Sequence, residues 1–294
     1  MATMPEWVQG ARPRTLPVAV SPVAVGTGAA YALHRAVWGY ALLALVVSLC
    51  LQIGVNYAND YSDGIRGTDR VRVGPVRLVG QGLAEPADVR LAAMVSFFLA
   101  ALCGAALVAL SQAWVMLPLG AACVAAAWYY TGGRNPYGYR GLGEVFVFVC
   151  FGLVATLGTT YTQAGTLTWA ALAGAVGVGA LASAILVANN LRDIPTDAES
   201  GKRTLAVRLG DAGSRRLYYA LLALALLMVA VCTAIAPTAL AAAAAFLLAY
   251  PLLRVMRSGA TGPRLVPVLA GTGTLQLAYA VLLAVGIGGA ALLG

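Results

Sequence analysis

The sequence has few charged residues. Only 10% of its 294 residues are Asp, Glu, Lys or Arg, whereas 61% are hydrophobic. In soluble domains about a quarter of all residues are charged, so this composition excludes an ordinary soluble protein. The apolar runs are about 20 residues long and do not alternate with polar residues, which favours membrane-spanning helices over a β-barrel. We therefore predict an all-α polytopic membrane protein.

The chain also lacks the residues of several familiar sites. It has one histidine, and its five cysteines lie inside apolar runs without CxxC spacing. This pattern argues against a zinc site and indicates that the cysteines are packing residues. Walker A and GxGxxG phosphate loops are absent, so metal ions and cationic side chains are expected to hold any phosphate. The polar segment 1–14 has no signal-peptide core, and the first membrane helix is expected to direct insertion.

Hydropathy predicts one membrane-embedded domain, residues 1–294, with nine transmembrane helices. Spans one to four and five to eight form two four-helix pseudo-repeats, and the ninth is an extra helix. With nine spans, every Lys and Arg except Arg35 and every acidic residue fall on one side. The positive-inside rule makes that side cytoplasmic, with the N-terminus inside and the C-terminus outside, and it explains the net charge of +8 without nucleic acid. The predicted spans are 15–33, 36–58, 89–110, 113–131, 143–163, 168–191, 217–236, 238–256 and 265–291.

Four polar side chains fall on one helical face where the second span ends, at the spacing i, i+3, i+4 and i+7. They are Asn56, Asn59, Asp60 and Asp63. Carboxylate and amide oxygens suit Mg²⁺, which prefers oxygen ligands and usually shares them with phosphate. A solvated helix end would also carry polar residues, and a second cluster downstream argues against that alternative.

The second cluster ends the sixth span and contains Asn189, Asn190, Asp193 and Asp197. Pro195 is expected to break the helix within it. Bare carboxylates would repel an anion, but two Asp groups with Mg²⁺ between them would attract a diphosphate. The Arg and Lys residues that follow both clusters add donors that match phosphate. These features predict an isoprenyl diphosphate whose tail lies among the helices.

These motifs resemble those of a known family. Asn59-Asp60-x-x-Asp63 and Asp193-x-x-x-Asp197 are similar to the two Asp motifs of the UbiA superfamily of intramembrane aromatic prenyltransferases, over nearly the whole chain. The stretches 12–17, 59–69 and 190–205, with Gly74 to Arg77, resemble its 1,4-dihydroxy-2-naphthoate polyprenyltransferase branch, the MenA family. Many members outside this branch have a third acid where Gly67 stands; here the acid is Asp69.

The resemblance implies transfer of a polyprenyl group from an isoprenyl diphosphate to 1,4-dihydroxy-2-naphthoate in the cell membrane. Loss of CO₂ and pyrophosphate gives demethylmenaquinone, a step of menaquinone biosynthesis, with Mg²⁺ as cofactor. The expected metal ligands are Asn59, Asp60, Asp63, Asp69, Asn189, Asp193 and Asp197. The expected catalytic residues are Asp60, Asp63, Asp193, Asp197 and Tyr139. The expected diphosphate ligands are Arg66, Arg70, Arg72, Arg77, Arg140, Lys202 and Arg203. The expected substrate-binding residues are Arg12, Arg14, Gln52, Asn56 and Asn190.

Several of these residues have an ordinary alternative role. Tyrosines such as Tyr139 are common at membrane interfaces, and Arg12, Arg14 and Arg140 also fit a topological signal. Gln52 lies one turn before Asn56 and either lines the same cavity or holds helices together.

Three rival functions remain open at this point. Another acceptor, such as 4-hydroxybenzoate, homogentisate or a porphyrin-type ring, would keep the same site. A transporter would also carry intramembrane polar residues and repeats, but its acids should lie near the midplane. An alcohol phosphatidyltransferase would place its acids in one compact motif, whereas here they form two clusters far apart in sequence.

Overall fold

Helix follows helix along the chain. The computed structural model describes residues 2–67 and 76–292, and these ranges contain no β-strand. We number the helices in chain order and join segments that continue into one another. They are α1 Met4–Gly10, α2 Pro17–Ala32, α3 Trp38–Ile65, α4 Pro86–Ser111, α5 Met116–Tyr129, α6 Gly143–Ala164, α7 Trp169–Arg192, α8 Ile194–Glu199, α9 Leu205–Ile235, α10 Pro237–Arg257 and α11 Gly262–Gly289.

The described helices do not confirm all nine predicted spans. Seven of the described helices are long and apolar enough to cross a membrane, and an eighth is added if Met4–Thr15 and Pro17–Ala32, bent by 49°, count as one span. Each predicted span overlaps a helix, but the span predicted at 113–131 contains only the 14 residues of α5. At 1.5 Å per residue α5 is roughly 21 Å long, less than the roughly 30 Å hydrocarbon core. Helix α5 begins late because the chain first turns at Gln112, whose φ is +57°.

Helix α7 is the centre of the bundle. Most of its apolar window is buried by the surrounding helices, 78% against 44% or less for the other long helices. Small residues allow this close packing: a Cβ at Gly152 of α6 would lie 2.5 Å from the Cα of Gly179 of α7. The largest apolar cluster joins α7 with α9, α10 and α11. Side chains fill the space between α7, α9, α10 and α11, and the cavity described below lies on the other side of α7.

Local sequence explains the ends of α6 and α7. Helix α6 closes on Gly165 at φ +68°, a backbone conformation that glycine adopts without steric cost. Helix α7 opens on Thr168, whose side chain accepts a hydrogen bond from the backbone N–H of Ala171, as an N-cap residue does. Within α6, residues Phe148–Val154 are π-helical, and such segments often occur at functional sites.

Candidate active site

A cavity of about 720 Å³ lies between α2, α3, α4, α5, α6 and α7. One end carries polar residues from both sequence clusters, and the rest is lined mainly by Ala, Val, Leu and Gly. Its lining extends along α3 from Asp63 back to Ala44, a distance of roughly 28 Å at 1.5 Å per residue. This shape suits a ligand with a polar head and a long apolar tail.

The first cluster contributes three buried side chains to the polar end. Helix α3 continues to Ile65, as the residue spacing predicts. Asn56, Asn59 and Asp63 line the cavity, and none is more than 9% exposed. Asn59 Oδ1 accepts a hydrogen bond from the hydroxyl of Thr131 at 2.8 Å. The loop after α5 therefore helps to orient this amide.

Asp60 is on the same helix but contacts a loop. Its carboxylate accepts hydrogen bonds from the backbone N–H of Leu78 at 2.7 Å and of Val79 at 3.2 Å. It is 1% exposed and is not among the residues that line the cavity. The neighbouring Arg77 does line it. Asp60 thus holds in place the loop that carries this arginine.

The second cluster is split in the same way. Helix α7 ends at Arg192, and Pro195 lies in the first turn of α8, at the predicted break. Asn189, Asn190 and Asp197 line the cavity. Each cluster therefore provides one carboxylate and at least one side-chain amide to the same polar end.

Asp193 instead forms an ion pair with its neighbour Arg192. The guanidinium Nε and Nη2 donate to the two carboxylate oxygens, each at 2.7 Å. Both side chains are buried, at 3% and 4% exposure. Nη2 also donates to Asn189 Oδ1 at 2.9 Å. Asp193 is not among the cavity-lining residues, and it acts on the site through Arg192 and Asn189.

Asp63, Tyr139 and Lys202 join the two clusters at one point. Lys202 Nζ lies 2.9 Å from Asp63 Oδ2, and the Tyr139 hydroxyl donates to the same carboxylate. The Lys202 ammonium also lies 4.7 Å from the Tyr139 ring centroid, within cation–π range. Burial, with the nearby Asp63 charge, raises the pKa of Tyr139 well above its usual range. Its hydroxyl therefore keeps its proton and remains a donor.

Arg66 supports this group from outside the cavity lining. Its guanidinium donates to the carbonyl oxygens of Thr131 and Gly133, both at 2.5 Å, and lies 5.3 Å from the Tyr139 ring centroid. These contacts fix the loop after α5 against the end of α3.

The N-terminal segment supplies a polar group next to the first cluster. Arg12, Thr15 and Gln52 line the cavity beside Asn56. Gln52 Nε2 donates to Thr15 Oγ1 at 3.2 Å, and Asn56 Nδ2 donates to the same oxygen at 3.1 Å. Arg12 has a left-handed backbone, φ +55°, which is uncommon outside glycine and worth functional attention. Arg14 is exposed and is not among the lining residues.

Two predicted diphosphate ligands line a different site. Arg140 and Arg203 line a second, smaller groove, which Tyr139 borders from the other side. Asp69, Arg70 and Arg72 are outside the residues that the structure describes.

The sequence reasoning missed several residues of the site. Thr15, Thr131 and Tyr130 line the cavity, but none of them was assigned an individual role from the sequence. Glu144 is 6% exposed, and its Oε1 accepts a hydrogen bond from Asn190 Nδ2 at 2.9 Å. An acidic residue at the start of a span was the signal that could have identified it, because such residues are rarely incidental.

Glu144 should affect activity by orienting the side chain of Asn190. With the amide nitrogen bound to Glu144, the oxygen of Asn190 is the atom left for a ligand. We expect Glu144→Leu to lower kcat/KM by about tenfold or more. Without Glu144, the buried Asn190 amide N–H has no acceptor, which costs about 1–3 kcal/mol, and the Asn190 side chain can rotate away from the ligand. Glu144→Gln keeps an acceptor oxygen and should stay close to wild type. Steady-state kinetics on both variants checks this; equal activities for Leu and Gln would contradict it.

The donors of the polar end fit a hard divalent cation. Among the described residues, no three His, Cys, Asp or Glu side chains are grouped closely enough to hold a metal alone. The cavity offers carboxylates and side-chain amides from both clusters, all with oxygen as the donor. Mg²⁺ is typically bound by one or two carboxylates together with substrate phosphates. The residues therefore suit Mg²⁺ shared with a phosphate ligand.

Comparisons with known proteins agree with this arrangement. Residues 19–266 match the profile of the UbiA prenyltransferase family. A 1,4-dihydroxy-2-naphthoate octaprenyltransferase of Mycobacterium tuberculosis is 57% identical over 97% of both chains, and one of Escherichia coli is 42% identical over 74% of this chain and 72% of its own.

The fold is similar to solved structures at low identity. A UbiA homolog from Aeropyrum pernix matches with a TM-score of 0.70 at 16% identity, over 92% of this chain and 96% of its own. A UbiA homolog from Archaeoglobus fulgidus bound to GPP and Mg²⁺ matches with a TM-score of 0.67, also at 16% identity, over 95% and 99%. The family match and the close relatives together confirm the resemblance drawn from the Asp motifs, and the chain belongs to the UbiA prenyltransferase family.

Proposed function

We propose that this protein transfers a polyprenyl group from an isoprenyl diphosphate to 1,4-dihydroxy-2-naphthoate. The observation that carries the proposal is the cavity itself, with one carboxylate from each Asp motif at the head of a long apolar channel. The acceptor follows from the relatives named for this reaction, one of them identical at 57% of positions.

Cationic side chains receive the diphosphate head. Lys202 and Arg77 are each 5% exposed and line the polar end. In a buried site such charges stabilise the negative charge that develops on a leaving diphosphate more strongly than they would in water. Tyr139 holds the side chains of Asp63 and Lys202 in position, because its hydroxyl binds Asp63 and its ring contacts Lys202. We assign Asp60 and Asp193 as positioning residues that fix Arg77 and Asn189.

Asp63, Asp197, Asn59 and Asn189 would hold Mg²⁺ in this family member. When bound there, Mg²⁺ supplies positive charge that stabilises the departing pyrophosphate more in the transition state than in the ground state. An A. fulgidus homolog bound to GPP and Mg²⁺ supports Mg²⁺ as the cofactor.

The apolar walls protect the allylic cation. Tyr130, Tyr139 and Phe146 line the cavity, and aromatic faces attract a cation by about 0.5–2 kcal/mol. Excluding water prevents hydrolysis of the same intermediate.

The acceptor binds next to the first motif. Arg12 lines the cavity there and matches a carboxylate through paired N–H donors. The prenyl C–O bond breaks, a carbon–carbon bond to the ring forms, and the ring loses its carboxylate as CO₂ while keeping that bond's electron pair. The product of this step is demethylmenaquinol, the reduced form of the demethylmenaquinone expected from the resemblance, and no net proton is released.

We also propose the finer topology predicted from hydropathy. One membrane-embedded unit of nine helices, built as two four-helix repeats plus one, would lie in the cell membrane. Its N-terminus and active site would face the cytoplasm and its C-terminus would lie outside. The distribution of Lys and Arg supports this orientation.

An acceptor panel tests the proposed function. Purified protein is given Mg²⁺, a prenyl diphosphate, and dihydroxynaphthoate, 4-hydroxybenzoate or homogentisate in turn. We expect kcat/KM for the naphthoate to exceed the others by at least about a hundredfold, because a site with buried polar groups matched to one acceptor rejects others strongly. Equal turnover of another acceptor, or solute transport without prenyl transfer, would contradict the proposal.

The channel should set the length of the prenyl chain. Gly104 lines it from α4, and a Cβ there would lie 3.8 Å from Val47 of α3. We expect Gly104→Phe to lower kcat/KM for octaprenyl diphosphate by about tenfold or more, since overpacking costs about 1–3 kcal/mol. Geranyl diphosphate, which is too short to reach this point, should react as in wild type. Leu102→Phe, on the exposed side of the same helix, is the matched control. Equal loss with both donors would disprove a length effect.

A further inference from the structure

Four arginines converge on a groove outside the cavity. Arg134 and Arg140 come from the loop after α5, and Arg203 and Arg208 come from the loop before α9 and its first turn. All four are exposed. The groove has a volume of about 270 Å³, and its described lining residues include no carboxylate. Grouping four like charges is unfavourable unless an anion offsets them.

The backbone keeps these two segments together. The backbone N–H of Arg203 donates to the carbonyl oxygen of Tyr139 at 2.9 Å, and Arg208 Nε donates to the carbonyl oxygen of Arg203 at 3.3 Å. Gly141, with φ +73°, leaves room for Arg208, whose Nε would lie 3.1 Å from a Cβ there. The groove is therefore a formed feature of the fold.

Tyr139 separates the groove from the cavity. It lines both, and its hydroxyl contacts Asp63 on the cavity side. An anion leaving the polar end past this ring would meet the groove next. All four cations are arginines, whose planar guanidinium groups bind phosphate oxygens in pairs.

We propose that this groove is a binding site for phosphate oxyanions, distinct from the substrate cavity, and that pyrophosphate released by prenyl transfer occupies it. The choice of pyrophosphate rests on the proposed function. A phosphate headgroup of an anionic lipid shares the same chemistry, so the experiment has to separate the two sources.

Equilibrium dialysis of radiolabelled pyrophosphate against the full-length protein tests the proposal. The protein is held in phosphatidylcholine nanodiscs with EDTA, so that neither lipid charge nor Mg²⁺ contributes. Arg134→Gln/Arg208→Gln removes two groove charges. Arg216→Gln/Arg257→Gln is the matched control, because both residues are exposed and lie outside the groove.

We expect wild type and the control to bind pyrophosphate alike, and the groove variant to bind at least tenfold more weakly. Absent binding in wild type, or equal binding by groove variant and control, would overturn the proposal. A second set of nanodiscs contains labelled phosphatidylglycerol and no pyrophosphate. If wild type binds only this lipid, and the groove variant does not, the pyrophosphate assignment is overturned in favour of a lipid. Because dialysis needs no turnover, failure of the proposed prenyl transfer would appear separately, in the acceptor panel.

Discussion

Asp63→Asn should lower prenyl transfer by on the order of a thousandfold, the size of effect seen when a preorganised electrostatic group is removed. The substitution keeps the shape but deletes the carboxylate that the first motif places in the cavity. It also removes the charge that holds Lys202 at 2.9 Å. Initial rates at saturating Mg²⁺ and both substrates measure the loss.

Asp211→Asn is the matched control for this effect. Asp211 has a 51% exposed side chain and pairs with Arg215 one turn along α9, away from the cavity lining. Its rate should stay within a factor of two of wild type, because Asp211 lies outside the cavity lining and contacts no described residue of the polar end. If Asp63→Asn keeps more than a tenth of the wild-type rate while remaining folded, the assignment of Asp63 is incorrect.

Arg192→Met should destabilise the protein by up to about 3–5 kcal/mol, because it deletes a partner that binds both oxygens of a buried carboxylate. The Arg192–Asp193 pair has two 2.7 Å contacts and almost no exposure. Unfolding in mixed micelles, followed by circular dichroism, measures the change in free energy.

The double variant Arg192→Met/Asp193→Leu should regain most of that stability, since replacing both members of a buried pair by apolar residues is often close to neutral. Arg257→Met, which replaces an exposed arginine, should leave stability unchanged. If Arg192→Met unfolds at the same denaturant level as wild type, the ion pair is not structural.

Local signals predicted the elements that carry the site. Side-chain spacing placed Asn56, Asn59 and Asp63 on one face, and α3 does continue to Ile65. Pro195 marked the helix break correctly. The Asp motifs identified the family, which the comparisons confirm. These features depend on residues within one or two helical turns, and short-range rules describe them well.

The features of the site that the sequence did not predict depend on contacts between residues far apart in the chain. Asp60 has the same helical spacing as its neighbours, yet it faces Leu78 and Val79, a loop whose position hydropathy does not encode. Their charge led to the prediction that Arg140 and Arg203 bind the diphosphate. Both instead line a separate groove, where the backbone N–H of Arg203 donates to the carbonyl oxygen of Tyr139. The span predicted at 113–131 was apolar enough, but the turn at Gln112 shortened its helix.

Release of the carboxyl carbon tests the central proposal most directly. Purified protein is incubated with Mg²⁺, octaprenyl diphosphate and dihydroxynaphthoate labelled with ¹³C in its carboxyl group. We expect labelled CO₂, pyrophosphate and octaprenyl demethylmenaquinol in equal amounts, and none of the three with Asp63→Asn. A prenylated product that retains the label, or no transfer to the naphthoate by a folded protein, would contradict the account.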